Sequence, residues 1–284
     1  MDDLGIATAT ILSLSLVVGL VCGGRFYPQE GQKPILAITL VVSAMFAFLF
    51  YAAGRLFWAR WIENSAVIEW SNWTPLLAAA AAGWVFRLPQ TPLWRRVGLS
   101  LLLGLAAVLA GLWPFLGIWL RPATPAGHQL AQGITLQTSW ATCSPAAAST
   151  FLRAGGIEAT EQDLIPLCLT DSSGTPTLGL YRGVKLMANQ NGRDVQAVSM
   201  TLDQLESDDD WPVLIMVKLP EFGVDLSLYA DQWGWIPGLG HTVVALGRTP
   251  QGHFVIGDPS VGRELWTREN LEVLWHGDAI RFGP

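Results

Sequence analysis

Hydrophobic positions divide this chain near residue 121. Before it they run almost unbroken, and after it they come in short periodic groups separated by Gly, Pro and polar clusters. Residues 4–23 form an uncharged run of about twenty positions, long enough to cross a ~30 Å hydrocarbon core. Residues 34–59, interrupted near the end by Arg55, and residues 97–120 are two further runs of that length. Residues 70–86 are Ala-rich and shorter, about seventeen positions, which is at the lower limit for a span. They are read as a fourth span, with a re-entrant or interfacial helix as the alternative. Trp58, Trp61, Trp70, Trp73 and Trp94 cluster near the ends of these runs, as aromatics do at membrane interfaces. The expected architecture of residues 1–121 is therefore an α-helical membrane region of three or four transmembrane helices.

After residue 121 the period changes. Residues 122–133 carry Pro122, Pro125 and Gly127 and read as a linker. At ~3.3 Å per extended residue, the stretch from Arg121 to Gln137 reaches no further than about 50 Å, so the following domain works close to the bilayer. Residues 143–154 predict a helix stopped by Gly155-Gly156, and residues 161–169 and 177–189 predict two more. Strands are expected at 195–200, 212–218, 241–247 and 253–257, with Gln251-Gly252 turning between the last two. Residues 134–284 thus predict an α+β domain, helices first and an antiparallel sheet afterwards.

Composition and charge agree with that division. Of 284 residues, 51% are hydrophobic and only 14% charged, with a mean hydropathy of +0.36, where soluble proteins carry about 25% charged residues. Residues 1–121 hold 8 basic and 5 acidic residues, and residues 122–284 hold 9 and 18. No basic tract or interleaved basic-aromatic pattern occurs, which excludes nucleic acid as an expected partner. The start, Met1-Asp2-Asp3, lacks the basic region of a signal peptide, so the first run is read as a retained helix. With four spans, Arg25, Lys33, Arg87, Arg95 and Arg96 share one side against Arg55, Arg60 and Arg121 on the other. With three, Arg55, Arg60, Arg87, Arg95 and Arg96 share one loop. The positive-inside rule places the C-terminal domain outside the cytoplasm in both cases.

The candidate chemistry lies in the second half. Gln137 is followed six residues later by Cys143, at the start of a predicted helix. Much further on come Gly240-His241-Thr242-Val243 and Gly257-Asp258-Pro259. A thiolate is stabilised by a helix N-terminus and by a neighbouring imidazolium. His241, opening a strand, can face that thiol and pass protons. Asp258, closing the next strand, can fix the imidazole tautomer. Gln137 can offer its amide to an oxyanion beside the Cys143 N–H. Together these are the parts of a papain-like cysteine peptidase, although each alone has a structural reading: a packed thiol, a core histidine, an Asp-Pro turn. Three cysteines are too few for a disulfide framework. Cys168 reads as a core thiol, since free cysteine is commonly buried; a Cys143–Cys168 disulfide is the alternative and would block the nucleophile. No metal-ligand spacing and no cofactor motif is present. His128, His253 and His276 are read as surface or structural. Trp233 and Trp235, just before His241, are read either as core cover or as a substrate-binding lid.

The segment Leu136-Gln137-Thr138-Ser139-Trp140-Ala141-Thr142-Cys143 resembles the opening of the bacteriocin-processing cysteine peptidases. These form the N-terminal domain of peptidase-containing ABC transporters and cut leader peptides after a double glycine. The resemblance continues through Ser173-Gly174-Thr175-Pro176-Thr177-Leu178-Gly179-Leu180, Gly240-His241-Thr242-Val243-Val244-Ala245-Leu246 and Gly257-Asp258-Pro259-Ser260-Val261-Gly262. It covers most of residues 134–275. It implies a papain-like fold, with Cys143 as nucleophile, His241 as base, Asp258 as its orienting group and Gln137 at the oxyanion. It also implies a bacterial cell membrane as the location, and as partners a peptide, leader-peptide or membrane-linked protein substrate, the bilayer, and a separate transporter. The chain departs from the family in five respects, one being that the transporter-borne members work in the cytoplasm whereas the charge rule puts this domain outside it. Thr142-Cys143-Ser144 stands where Glu-Cys-Gly is frequent, and no Gly-x-x-x-x-Gly-Lys-Ser/Thr run exists. The membrane helices precede the peptidase domain, and residues 220–240 are inserted before His241. Two other functions fit the same residues: a non-catalytic module that holds leader peptides, and a thiol acyltransferase that passes the acyl group to an amine.

Overall fold

The computed structural model describes residues 2–25, 33–127 and 129–283; His128 lies outside the described residues. The chain forms two compact units. One comprises Met1–Arg55 and Ser65–Leu116, the other Leu56–Asn64 and Gly117–Pro284.

The first unit is helical. α1 (Asp2–Gly24) and α2 (Lys33–Tyr51) precede two elements in the second stretch, a short α4 (Val67–Trp70) and α5 (Thr74–Phe86). α3 (Phe57–Trp61) lies between α2 and α4 in sequence but belongs to the second unit. α6 (Leu93–Leu120) begins in the first unit and ends in the second. α1, α2 and α6 are each long and apolar enough to cross a membrane. Their exposed faces are apolar: Ile6, Leu16, Leu20, Leu40, Phe50, Leu101 and Leu102 are all exposed. An apolar exterior of this extent suits lipid rather than water.

α1 and the segment through α4 and α5 run side by side in the same direction. Near the start of α1, Ser65 Oγ donates to Asp3 Oδ2 at 2.7 Å. Further along, a Cβ on Gly19 would lie 3.2 Å from Ala79 O, and one on Gly23 would lie 3.2 Å from Gly83 O. At the far end Arg87 Nε donates to Gly23 O at 2.6 Å. Small residues at these crossings let the two backbones approach closely. The 13 residues of α5 measure only about 20 Å at 1.5 Å per residue. Yet residues 65–87 accompany α1 over its whole length. The second hydrophobic run breaks earlier than its sequence suggests. α2 ends at Tyr51, and Gly54, at φ +70°, turns the chain before α3.

The second unit opens with the hairpin β1 (Gln129–Ala131) and β2 (Ile134–Leu136), followed by α7 (Cys143–Ala154), α8 (Glu161–Leu167) and α9 (Thr177–Gln190). After these come β3 (Val195–Ser199), α10 (Leu202–Glu206), β4 (Val213–Lys218), β5 (Gly240–Arg248), β6 (Phe254–Asp258), β7 (Gly262–Trp266), α11 (Arg268–Leu274) and β8 (Trp275–Phe282). The six-stranded sheet has the order β3-β8-β4-β5-β6-β7 and is antiparallel throughout. Alternation sorts its side chains by face. Val213, Ile215, Val217, Val243, Ala245, Phe254, Ile256 and Trp266 share one buried cluster with Leu271 and Leu274 of α11. Leu214 and Val244, also fully buried, point the other way, where α7 packs against β4 and β5. Ser144 to Leu152 are all buried, so α7 is a central helix. Its Ala146, Ala147 and Ala148 allow the sheet to approach.

Candidate active site

Cys143 is the first residue of α7. No side chain among the described residues caps this helix. The Thr142 hydroxyl, in the capping position, turns back instead: it donates to Ser139 O at 3.0 Å and accepts from Ser139 N at 3.1 Å. The first-turn N–H groups therefore keep their partial positive charge for the thiol and for any anion beside it.

His241 is the second residue of β5, and Asp258 the last of β6. Antiparallel pairing of Val244 with Gly257 brings them together. His241 Nε2 lies 2.9 Å from Asp258 Oδ1, with side chains 15% and 4% exposed. That leaves Nδ1 as the other ring nitrogen, and the imidazole acts electrostatically on the Cys143 thiol. A second link sets the register of helix and strand: Ser144 Oγ and Thr242 Oγ1 are 2.8 Å apart and buried. The neighbour of the thiol is thus tied to the neighbour of the imidazole.

The electrostatics follow from these contacts. Burial by itself raises the Cys143 thiol. The neighbouring His241 side chain and its positive charge outweigh it, helped by Ser144 and the Thr242 backbone, so the pKa falls below the ordinary thiol value. Burial disfavours the His241 imidazolium, but Asp258 and Cys143 overcome this and raise its pKa well above the ordinary value. Both directions favour a thiolate–imidazolium pair. Cys168 shows the contrast. It is fully buried, and burial pushes its thiol up to about 12 against a smaller lowering by Arg182. All three cysteines are free.

Gln137 reaches the site on the β1–β2 hairpin. Thr135 N donates to Thr150 Oγ1 at 2.9 Å, and Thr135 Oγ1 lies 2.9 Å from Ser149 Oγ, pinning β2 on α7. On β6, Gly257 makes room for it: a Cβ there would come within 2.8 Å of Ile134 Cδ1. Beyond Gln137, the buried Glu161 carboxylate accepts from Thr138 N at 3.0 Å and Thr138 Oγ1 at 2.8 Å. Gln137 N donates to Pro259 O at 2.8 Å, its side-chain Nε2 donates to Ser139 O at 3.2 Å, and its Oε1 accepts from Ser260 Oγ at 3.2 Å. Gln137 is therefore attached to the turn that carries Asp258.

Trp233 and Trp235 follow a wide helical turn at Ser227–Gln232, with Gly234 at φ +72° between them. Both pack on Trp266, with ring centroids 6.1 and 5.8 Å away. Trp235 also meets the His241 ring edge-on, at 5.3 Å and 87°. His253 and His276 are exposed. Sequence reasoning overlooked Ser144, Thr242 and Ser260. Ser144 and Thr242 each adjoin a residue it did select, and Ser260 lies two residues after Asp258, which is the one signal available.

The fold and the site define a class: an α+β domain that presents a thiol, an imidazole and a carboxylate in series from one helix start and two adjacent strands. The chain is 36% identical over 147 residues to an uncharacterised protein of Methanothermobacter thermautotrophicus, covering 52% of this chain and 85% of that protein. It belongs to the family of that protein. No protein-family model matches the chain. Among solved structures it is similar to the peptidase domain of Streptococcus ComA, a bifunctional ABC transporter, with a TM-score of 0.39 and 23% identity over 52% of this chain and 96% of that one. It is also similar to a double-glycine motif protease from an AMS/PCAT transporter in complex with a leader peptide, with a TM-score of 0.40 and 16% identity over 58% of this chain and 96% of that one.

Proposed function

We propose that this chain is a membrane-anchored cysteine peptidase that cleaves a peptide or protein substrate close to the bilayer. The observation that carries the reading is the His241–Asp258 pair beside Cys143 at the start of α7, with the thiol lowered and the imidazole raised. In this reading the Cys143 thiolate attacks the scissile carbonyl carbon, a C–S bond forms, and the carbonyl electron pair moves onto oxygen. The Cys143 N–H and the Gln137 amide stabilise that oxyanion. As the intermediate collapses, the C–N bond breaks and His241 gives its proton to the leaving amine. The thioester is then hydrolysed by a water that His241 deprotonates. Asp258 holds the ring and does not itself take the proton.

In the same reading residues 1–120 cross the bilayer four times, because residues 65–87 accompany α1 from end to end. Arg25, Lys33, Arg87, Arg95 and Arg96 then face the cytoplasm, and the peptidase domain lies outside it. The test is incubation of the detergent-solubilised full chain with a peptide library. Cleavage by the wild type and none by Cys143→Ala supports the proposal. Equal cleavage by both overturns it.

A further inference from the structure

Ser260 stands two residues after Asp258, where the turn leaves β6. The β5–β6 register, continued past Val244↔Gly257, brings it level with His241. Its contacts join Asp258, Gln137 and His241. The backbone N–H of Ser260 donates to Asp258 Oδ1 at 2.7 Å, the same oxygen that meets His241 Nε2 at 2.9 Å. Its hydroxyl donates to Gln137 Oε1 at 3.2 Å and lies 3.5 Å from His241 Nε2. The Gln137 backbone is bonded to the preceding residue, Pro259.

We propose that Ser260 is a positioning residue that sets the Gln137 amide for the oxyanion and couples it to the His241–Asp258 pair. This deepens the peptidase reading and rests on it. A glutamine side chain has one acceptor oxygen and two N–H donors, and either end can face a given neighbour. With the Ser260 hydroxyl on Oε1 and Ser139 O taking one N–H, the second N–H is left for a substrate oxygen. A flipped amide would set Oε1 against the Ser139 carbonyl and break the Ser260 bond. His241 Nε2–H points at Asp258, so Ser260 Oγ beside it serves as a donor to Gln137 rather than as a competing base. The Ser260 backbone N–H holds Asp258 Oδ1, so the turn ties the Gln137 amide to the His241–Asp258 pair through the backbone, a link that Ser260→Ala leaves in place.

Two probes separate positioning from thiol activation. Alkylation of Cys143 by iodoacetamide is a displacement at carbon: the C–S bond forms, iodide leaves and no oxyanion arises. It reports the thiolate alone. Acylation by N-acetylglycine 4-nitrophenyl ester passes through a tetrahedral oxyanion before 4-nitrophenolate leaves. In the full-length protein, Ser260→Ala should slow acylation about tenfold, the size of one lost hydrogen bond. The alkylation rate and its pH profile should stay unchanged. Ser260→Thr, which keeps the hydroxyl, should restore acylation. Gln137→Ala should slow acylation more, and adding Ser260→Ala to it should cost nothing further. Multiplicative losses in the double variant, an alkylation profile displaced along with acylation, or wild-type acylation by Ser260→Ala would each overturn the proposal. Failure of the peptidase reading looks different: wild-type acylation would then be insensitive to Cys143→Ala.

Discussion

Two thiols in one domain have opposite environments. Cys143 sits at an uncapped helix start beside an imidazole, whereas Cys168 lies in the interior where Gly183 makes room for its sulfur. Their reactivity should separate accordingly. Followed by iodoacetamide labelling and peptide mass mapping, Cys143 should react at pH 6, because its pKa is held down. Cys168 should stay unlabelled through pH 9, because burial raises its pKa to about 12. Labelling of Cys168 first, or of both with an ordinary thiol profile, would refute this assignment. The sign for His241 follows the same logic: raised pKa keeps the imidazolium through neutral pH. The turnover rate should hold a plateau there, falling in acid as the thiolate is protonated and in alkali as the imidazolium loses its proton. Asp258 orients and does not transfer protons, so Asp258→Asn should lower activity by less than His241→Ala. Measured rates in the reverse order would remove Asp258 from the site. The candidate residues Gln137, Cys143, His241 and Asp258 stood out in the sequence through their joint order, since each alone has an ordinary structural reading. The supporting hydroxyls were not. Ser144 and Thr242 are 98 positions apart, Gln137 and Ser260 are 123 apart, and serine and threonine are common everywhere on a surface.

At the scale of elements, runs with a strong period were readable. α7, α8 and α9 and strands β3 to β6 lie where the hydrophobic pattern puts them, within a residue or two at their ends. β1 was read as linker and β2 went unassigned, because the strands of this hairpin are three residues each. Gln132 and Gly133, at φ +52° and +82°, form the tight turn that gives it away only in three dimensions. β8 was missed for another reason. It holds His276, Gly277, Asp278 and Arg281 and draws its stability from lying between β3 and β4, a long-range effect that local pattern does not carry. Residues 220–240 bear on two readings of Trp233 and Trp235, core cover and substrate lid. Trp233 stacks on Trp266 and meets Tyr229 edge-on, and both tryptophans join the core cluster. Replacing Trp233 and Trp235 together by alanine should therefore destabilise the domain by about 2 kcal/mol or more, seen as a lower Tm. An unchanged Tm with selective loss of activity on a membrane-linked substrate would favour a lid.

For the whole molecule, the proposed reading has four crossings, with α1 and residues 65–87 running parallel, and by the charge rule it puts both Asp2 and Gly283 outside the cytoplasm. Cysteine-accessibility labelling in intact cells, with single cysteines introduced at Asp2 and Gly283, should find both reachable by an impermeant reagent. Labelling of both only after lysis would reverse the orientation, and labelling of one alone would refute the even number of spans. The central claim is that Cys143 carries the acyl group of a cleaved peptide, and acid quenching during turnover of a library-selected substrate tests it most directly. Intact-mass and fragment analysis should then show the N-terminal product joined to Cys143 as a thioester, absent from Cys143→Ala and accumulating when deacylation is slowed. Cleavage proceeding with no adduct on Cys143, or with the adduct on Cys22 or Cys168, would contradict the account.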